Sequence, residues 1–171
     1  MARSLMLSPE RIRRTIVRLA FEIIEVNRGA QNLIVFGIRN GGAAIAEALL
    51  THINAREGCD HRVHTLDVTP FRDDQDWSEN QGTHIESGID VTDRDVILVD
   101  DVLFTGRTAR AALDAIVRGG RPRSIQLVVL IDRGHREYPI QPNFVGRVIK
   151  TKHKERVEVE VEEDFSVYVE E

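Results

Sequence analysis

Apolar residues recur along the chain at changing periods, and each change of period marks an element. From Ser8-Pro9-Glu10 to about Asn27, Ile12, Ile16, Leu19, Ile23 and Val26 stand three and four residues apart, while Arg11, Arg14, Arg18 and Glu25 take much of the opposite face. That spacing predicts an amphipathic helix. Ser8 supplies a cap, Pro9 suits the first helical position, Glu10 puts a negative charge in the first turn, and Asn27-Arg28-Gly29 ends the element. Leu33-Ile-Val-Phe36, before Gly37, is a short continuous apolar run and predicts a strand buried on both faces. The Ala-rich residues 43–56, with Ile45, Ala48, Leu49 and Ile53, predict the helix after it.

Further on, a second strand is expected from Val63 to Val68. Thr69 to Thr83 is polar, includes Arg72-Asp-Asp-Gln-Asp76 and Trp77, and follows neither period; a long excursion of this kind is expected to serve as a lid or binding segment. Val96–Val99 and Ile125–Ile131 predict two more buried strands, separated by a helix from about Thr108 to Arg118 that stops at Gly119-Gly120. After Gly146, Val157-Glu-Val-Glu-Val161 alternates as a half-exposed strand, and acidic residues then lead into Val167-Tyr-Val169. The alternation of strand and helix implies an α/β fold with a largely parallel sheet. With no linker, repeat or low-complexity tract, residues 1–171 are expected to form one domain.

Charge and cysteine usage narrow the classes. The 171 residues carry 23 Lys plus Arg against 28 Asp plus Glu, a formal charge of −5, which argues against broad charge-driven binding to polyphosphate. Cys59 is alone, so neither a disulfide framework nor a thiolate metal cage is expected, in keeping with a reducing cytoplasm. No run of about 18 apolar residues exists to span a bilayer, and the first nine residues are too short in apolar content for a signal peptide. A cytoplasmic protein without a membrane partner is expected. The six His residues do not fall at metal-ligand spacing, and His61 and His64 have no third ligand nearby, so no protein-held metal site is expected.

The chemistry concentrates in Val96-Ile-Leu-Val-Asp100-Asp101-Val-Leu-Phe-Thr105-Gly106-Arg107-Thr108. It reads as strand, two acids, tight loop and helix start. The helix after a parallel strand presents free N–H groups and the positive end of its dipole, so Thr105, Gly106, Arg107 and Thr108 can cradle an anion. Asp100 and Asp101 would repel a phosphate but suit the vicinal hydroxyls of a sugar one ribose away. The Gly-Lys-Ser/Thr end of a P-loop is absent, and no Gly-x-Gly-x-x-Gly follows the first strand.

The segment Val96–Thr108 resembles the phosphoribosyl pyrophosphate (PRPP) motif of type I phosphoribosyltransferases. Beyond it, Asp67-Val-Thr-Pro-Phe-Arg-Asp-Asp74, Asp90-Val-Thr-Asp93, Arg121-Pro-Arg-Ser-Ile-Gln126 and Ile131-Asp-Arg-Gly-His-Arg-Glu-Tyr-Pro-Ile140 resemble the PyrR family, pyrimidine operon attenuation regulators and uracil phosphoribosyltransferases. The resemblance covers nearly the whole chain. It implies a type I phosphoribosyltransferase fold, a largely parallel central sheet flanked by helices with a small hood, and the conversion of uracil and PRPP to UMP and pyrophosphate with Mg2+ carried by PRPP. It implies that Asp100 and Asp101 hold the ribose hydroxyls as the central catalytic pair and that Thr105–Thr108 hold the 5′-phosphate. Val102, Leu103 and Phe104 are implied to bind substrate with them, Arg133 to line the base pocket, and Val157 to pack near the base. A homodimer or higher homo-oligomer is also implied, as is regulation through pyrimidine leader mRNA, with Arg136, Lys150 and Lys152 in a cationic patch.

The chain departs from the family pattern in places. Gly37-Ile38-Arg39-Asn40-Gly41-Gly42 puts Asn40 and Gly41 in the pyrophosphate loop, with Gly41 where an Arg belongs, and Thr83 stands where a basic lid residue is common. Arg39, Arg72 and His84 are the cations that could stand in. Val17, Phe21 and Gln141 replace residues expected on an RNA-binding face. Three readings follow: a uracil phosphoribosyltransferase, a catalytically weak nucleotide-sensing regulator that binds RNA, and a phosphoribosyltransferase for another base.

Overall fold

The computed structural model describes residues 2–68, 85 and 88–171; the expected lid, with Arg72, Trp77, Thr83 and His84, lies outside them. In chain order the elements are β1 Arg3–Leu7, α1 Pro9–Asn27, β2 Leu33–Ile38, α2 Gly41–Glu57, β3 Val63–Leu66, β4 Asp95–Leu103, α3 Arg107–Arg118, β5 Ser124–Asp132, β6 Phe144–Val148, β7 Arg156–Glu160 and β8 Ser166–Glu170. The helix start read from Ser8 is in place, with the Ser8 hydroxyl accepting from the Arg11 N–H at 3.5 Å. At the other end Arg28 turns left-handed (φ 53°) and stops the helix.

Five strands form one sheet in the order β3-β2-β4-β5-β6. Every pairing in it is parallel. Helices cover both faces, which is why its strands read as unbroken apolar runs. Leu33 and Val35 of β2 point into a core shared with α1 and α2, while Ile34 and Phe36 point into a second core against Ala109, Ala112 and Ile116 of α3. The small alanines bring α3 close to the sheet.

Two elements escape the periodicity. β1 pairs antiparallel with β8, which pairs in turn with β7, giving a separate three-stranded sheet made from both ends of the chain. Only Leu7 of β1 is buried, so the strand carries no hydrophobic signature. Its register is held instead by Arg3, which reaches Glu158, Glu160 and Glu170 and lies 3.8 Å from the Tyr168 ring centroid. β6 extends the parallel sheet as an edge strand where the sequence suggested none; Gly146 and Arg147 interrupt its apolar pattern, and among the described residues no helix precedes it to announce a crossover.

Among the described residues no helix is long and apolar enough to cross a membrane. The strand order reverses between β2 and β4: from β2 the chain moves outward to β3, and from β4 it moves the other way through β5 to β6. In open parallel sheets the crevice beyond the carboxyl ends of the strands at such a reversal is where ligands bind.

Candidate functional site

Residues at the ends of β2 and β4 meet at that crevice. A cavity of about 340 Å³ is lined by Ile38, Arg39 and Asn40 after β2, by Asp67 and Val68 after β3, and by Asp100, Asp101, Val102 and Thr108. A second, of about 170 Å³, runs from Asp100 and Val102 through Phe104 and the loop Thr105–Thr108 to Ala109. Asp100, Val102 and Thr108 line both. Asp100 therefore stands between the two spaces, and Asp101 faces the larger one. A larger cavity of about 520 Å³ under the turn between β7 and β8 is lined by Glu158–Asp164 and has no such donor set.

The two acids differ. Asp100 is buried, and its carboxylate accepts the Asp101 N–H at 2.9 Å. Burial first, and then the neighbouring Asp101 charge, hold its carboxyl well above the usual carboxylate range. Asp101 is half-buried and accepts the Val102 N–H at 2.7 Å. Its carboxylate also lies over the start of α2, because a Cβ built on Gly41 would come within 3.0 Å of the Asp101 Cβ and collide with the carboxylate itself. The pyrophosphate-loop position thus has no room for any side chain while Asp101 keeps this rotamer. Asn40 beside it has φ 67° and makes no side-chain cap to α2.

The cradle is built by main chain. Gly106 has φ 90° and caps α3, whose first turn carries N–H groups without intrahelical acceptors. The Arg107 N–H is met by the Thr105 hydroxyl at 3.3 Å. From outside, the loop after β5 braces the cradle: the Glu137 and Tyr138 N–H groups both donate to Thr105 O, at 2.8 and 3.0 Å. Arg107 donates to Glu137 Oε2 and to the Tyr138 hydroxyl, both at 2.9 Å. Ile140 lies against Gly106, and a Cβ there would approach it to 3.1 Å.

The same loop also packs around Phe104. Arg133 is buried, with its guanidinium 3.9 Å from the Phe104 ring centroid and its N–H groups on Thr151 Oγ1, Lys152 O and His153 O. His135, at φ 65°, lies 2.7 Å from Thr151 O through Nε2, and its ring and that of His153 meet Phe104 edge-on. Leu103 is buried and its carbonyl accepts the Arg133 N–H at 3.1 Å. Val157 is half-buried against the core and lines neither cavity of the crevice.

The cationic-patch residues separate. Arg136 is turned inward, donating to Asp132 Oδ2 at 2.6 Å, Ile140 O at 2.8 Å and Phe104 O at 2.9 Å. It is a clip between the two loops, a role its sequence neighbourhood did not announce. Lys150 is exposed, and Lys152 is exposed but paired with Glu155 and Glu171 at 3.5 and 3.4 Å. Phe21 is 47 % exposed on α1. Glu137 and Tyr138, which brace the cradle, carry no sequence signal beyond the family run to which they belong.

A profile of the phosphoribosyl transferase domain matches residues 7–164. Over 153 residues the chain is 48% identical to the "Bifunctional protein PyrR 2" of Lactiplantibacillus plantarum, covering 89% of this chain and 88% of that one. Over 165 residues it is 44% identical to the "Bifunctional protein PyrR" of Bacillus mycoides, covering 94% and 92%. The hypoxanthine phosphoribosyltransferase of Trypanosoma cruzi matches with a TM-score of 0.74 at 18% identity, over 97% of this chain and 95% of that one. A Staphylococcus aureus hypoxanthine phosphoribosyltransferase matches at 0.68 and 21%, over 85% and 77%. At such identities the two structures speak to the fold alone.

Proposed function

We propose, from the premise that this chain belongs to the phosphoribosyl transferase family and stands among its PyrR proteins, that it converts uracil and PRPP to UMP and pyrophosphate. The observation that carries the reading is the pair of joined spaces at the strand reversal, one walled by a main-chain anion cradle and the other by two acids. The 5′-phosphate lies against Thr105–Thr108, where fixed N–H groups need no reorganisation to meet it. The ribose lies at Asp100 and Asp101. Both acids present carboxyl oxygens that can accept from the two hydroxyls of the diol. The base lies toward Phe104, with Arg133 stacked on the ring's face and holding the segment Thr151–His153.

Asp67 and Asp101 present hard carboxylate oxygens to the larger cavity. Magnesium takes one or two such ligands and fills the rest of its shell with substrate oxygens and water, so these residues fit Mg2+ carried with PRPP. When bound, the ion supplies charge neutralisation at the pyrophosphate oxygens. The protein's own part is positioning: phosphate and ribose are fixed at separate anchors, so that C1′ is presented to the base as it takes on oxocarbenium character.

Identity of 48% and 44% to relatives named bifunctional favours a second role, regulation of pyrimidine genes through leader mRNA. Lys150 and Lys152 are the cations offered for it. We place the enzyme in an oligomer, as the family implies. The test is formation of UMP from uracil and PRPP with magnesium, hypoxanthine serving as the competing base. UMP as product supports the reading; no product at high enzyme concentration, or preference for hypoxanthine, overturns it. For the second role, filter binding of a pyrimidine leader transcript across a salt series is expected to give salt-sensitive retention stimulated by UMP.

A further inference from the structure

Of the described residues lining the cavity at Thr105–Thr108, Arg107 is the one with a positive charge. It is the first residue of α3, from which a guanidinium can fold back on an anion at the helix start and meet two of its oxygens at once. The structure turns it the other way. Its Nε donates to Glu137 Oε2 and its Nη1 to the Tyr138 hydroxyl, both at 2.9 Å, and the guanidinium stands 4.8 Å from the Tyr138 ring centroid.

The hold on Arg107 is built into the brace. The Glu137 and Tyr138 N–H groups both donate to Thr105 O, so the main chain that steadies the cradle also delivers the acid and the phenol that take its cation. The Arg107 and Glu137 side chains are 46% and 47% exposed. A pair so placed is screened by water and adds little to stability. What it does alter is the charge at the cradle: a phosphate there meets neutral N–H groups and the positive end of a helix dipole, and not a full positive charge.

Resting on the phosphoribosyl-transfer reading above, we infer that Glu137 is a positioning residue which, with Tyr138, withholds the Arg107 guanidinium from the 5′-phosphate. That phosphate belongs to PRPP and UMP alike, so a full charge on it would tighten both and favour no step between them. Its one kinetic consequence would be slower departure of UMP. Holding Arg107 aside keeps the grip on the shared phosphate loose enough for turnover.

The test is calorimetric titration of UMP into the full chain as wild type, Glu137→Gln, Tyr138→Phe, Arg107→Ala and the double variant Glu137→Gln with Arg107→Ala. Glu137→Gln keeps the shape and removes the charge; it is expected to bind UMP roughly five- to tenfold more tightly, the size of one charge-assisted bond partly screened by water. Tyr138→Phe, which loses only the hydroxyl, should gain about twofold. In Glu137→Gln the KM for PRPP should fall with the UMP Kd while that for uracil stays, and the gain in UMP affinity should vanish once Arg107 is replaced. UMP affinity in Glu137→Gln equal to or below wild type overturns the inference and leaves the transfer reading standing; a merely structural brace gives that loss together with a lowered Tm. A gain that survives in the double variant also overturns it, because the Glu137 charge would then act on the phosphate directly. Failure of the wild type to bind UMP would sink the transfer reading itself.

Discussion

Two strand-to-helix turns meet at the strand reversal, and they are built in opposite ways. The turn from β4 to α3 is braced: Arg136, Glu137 and Tyr138 reach it from the loop after β5, and Ile140 closes on Gly106. The turn from β2 to α2 is tied at its start by the Arg39 N–H on Leu66 O and the exposed Arg39–Asp67 pair, while Asn40 sits at positive φ without capping the helix, and Gly41 lies under a carboxylate. The difference suits what the proposed reaction would ask of each. A phosphate present in both substrate and product calls for a fixed cradle, whereas a leaving group calls for a wall that can exchange partners.

The largest effect expected from breaking this contrast comes from Arg136→Ala. It removes an ion pair whose two side chains are only 24% and 14% exposed, together with two bonds to carbonyls, at a cost of about 2–4 kcal/mol read by urea denaturation. Burial raises the Asp132 carboxyl, but Arg136 and the Gly134 N–H outweigh it and hold it below its ordinary value. Its stabilising contribution is therefore full above the unfolded pKa of about 3.9 and is lost as pH falls through the lower folded value. The gap between variant and wild type should narrow below about pH 4; a gap independent of pH would assign the loss to the carbonyl bonds alone.

A matched pair of smaller changes sharpens the comparison. Gly106→Ala forces a side chain into left-handed backbone against Ile140 and is expected to cost about 1–3 kcal/mol and to weaken UMP binding as well. Gly41→Ala has no positive φ to strain and should displace only the Asp101 carboxylate, lowering PRPP affinity severalfold with little change in Tm. Equal losses of Tm in the two variants would show that both turns are rigid.

The smallest effect is a gain. Because burial and Asp101 raise the Asp100 carboxyl, its ionisation opposes folding increasingly as pH rises from about 3.9 through the folded value. Asp100→Asn keeps an acceptor for the Asp101 N–H and removes that charge. Scanning calorimetry should give a Tm raised by a few degrees at pH 8 and unchanged near pH 4, while UMP formation falls. A lower Tm at pH 8 would contradict the burial argument.

Much of this was legible in the sequence, for a physical reason. Strands covered on both faces cannot alternate, so Leu33–Phe36 and Val96–Val99 announced themselves, and the acids with Thr105–Thr108 stood out as strand end, tight turn and helix start. β1 and β6 were not legible, because an edge strand with one buried residue or a central Gly leaves no period to read. The Arg136 clip and the Arg39–Asp67 pair join residues from separate elements, and only packing brings them together. Gly41 could be seen to replace a cation, but the Asp101 carboxylate above it could not.

Arg3 pairs with Glu170 across almost the whole chain. Closing so long a loop is entropically slow, so the parallel sheet can assemble during synthesis while β1 waits unpaired for β8. The crevice would then take shape before the antiparallel sheet, and that small sheet would close last, joining residues far apart in sequence.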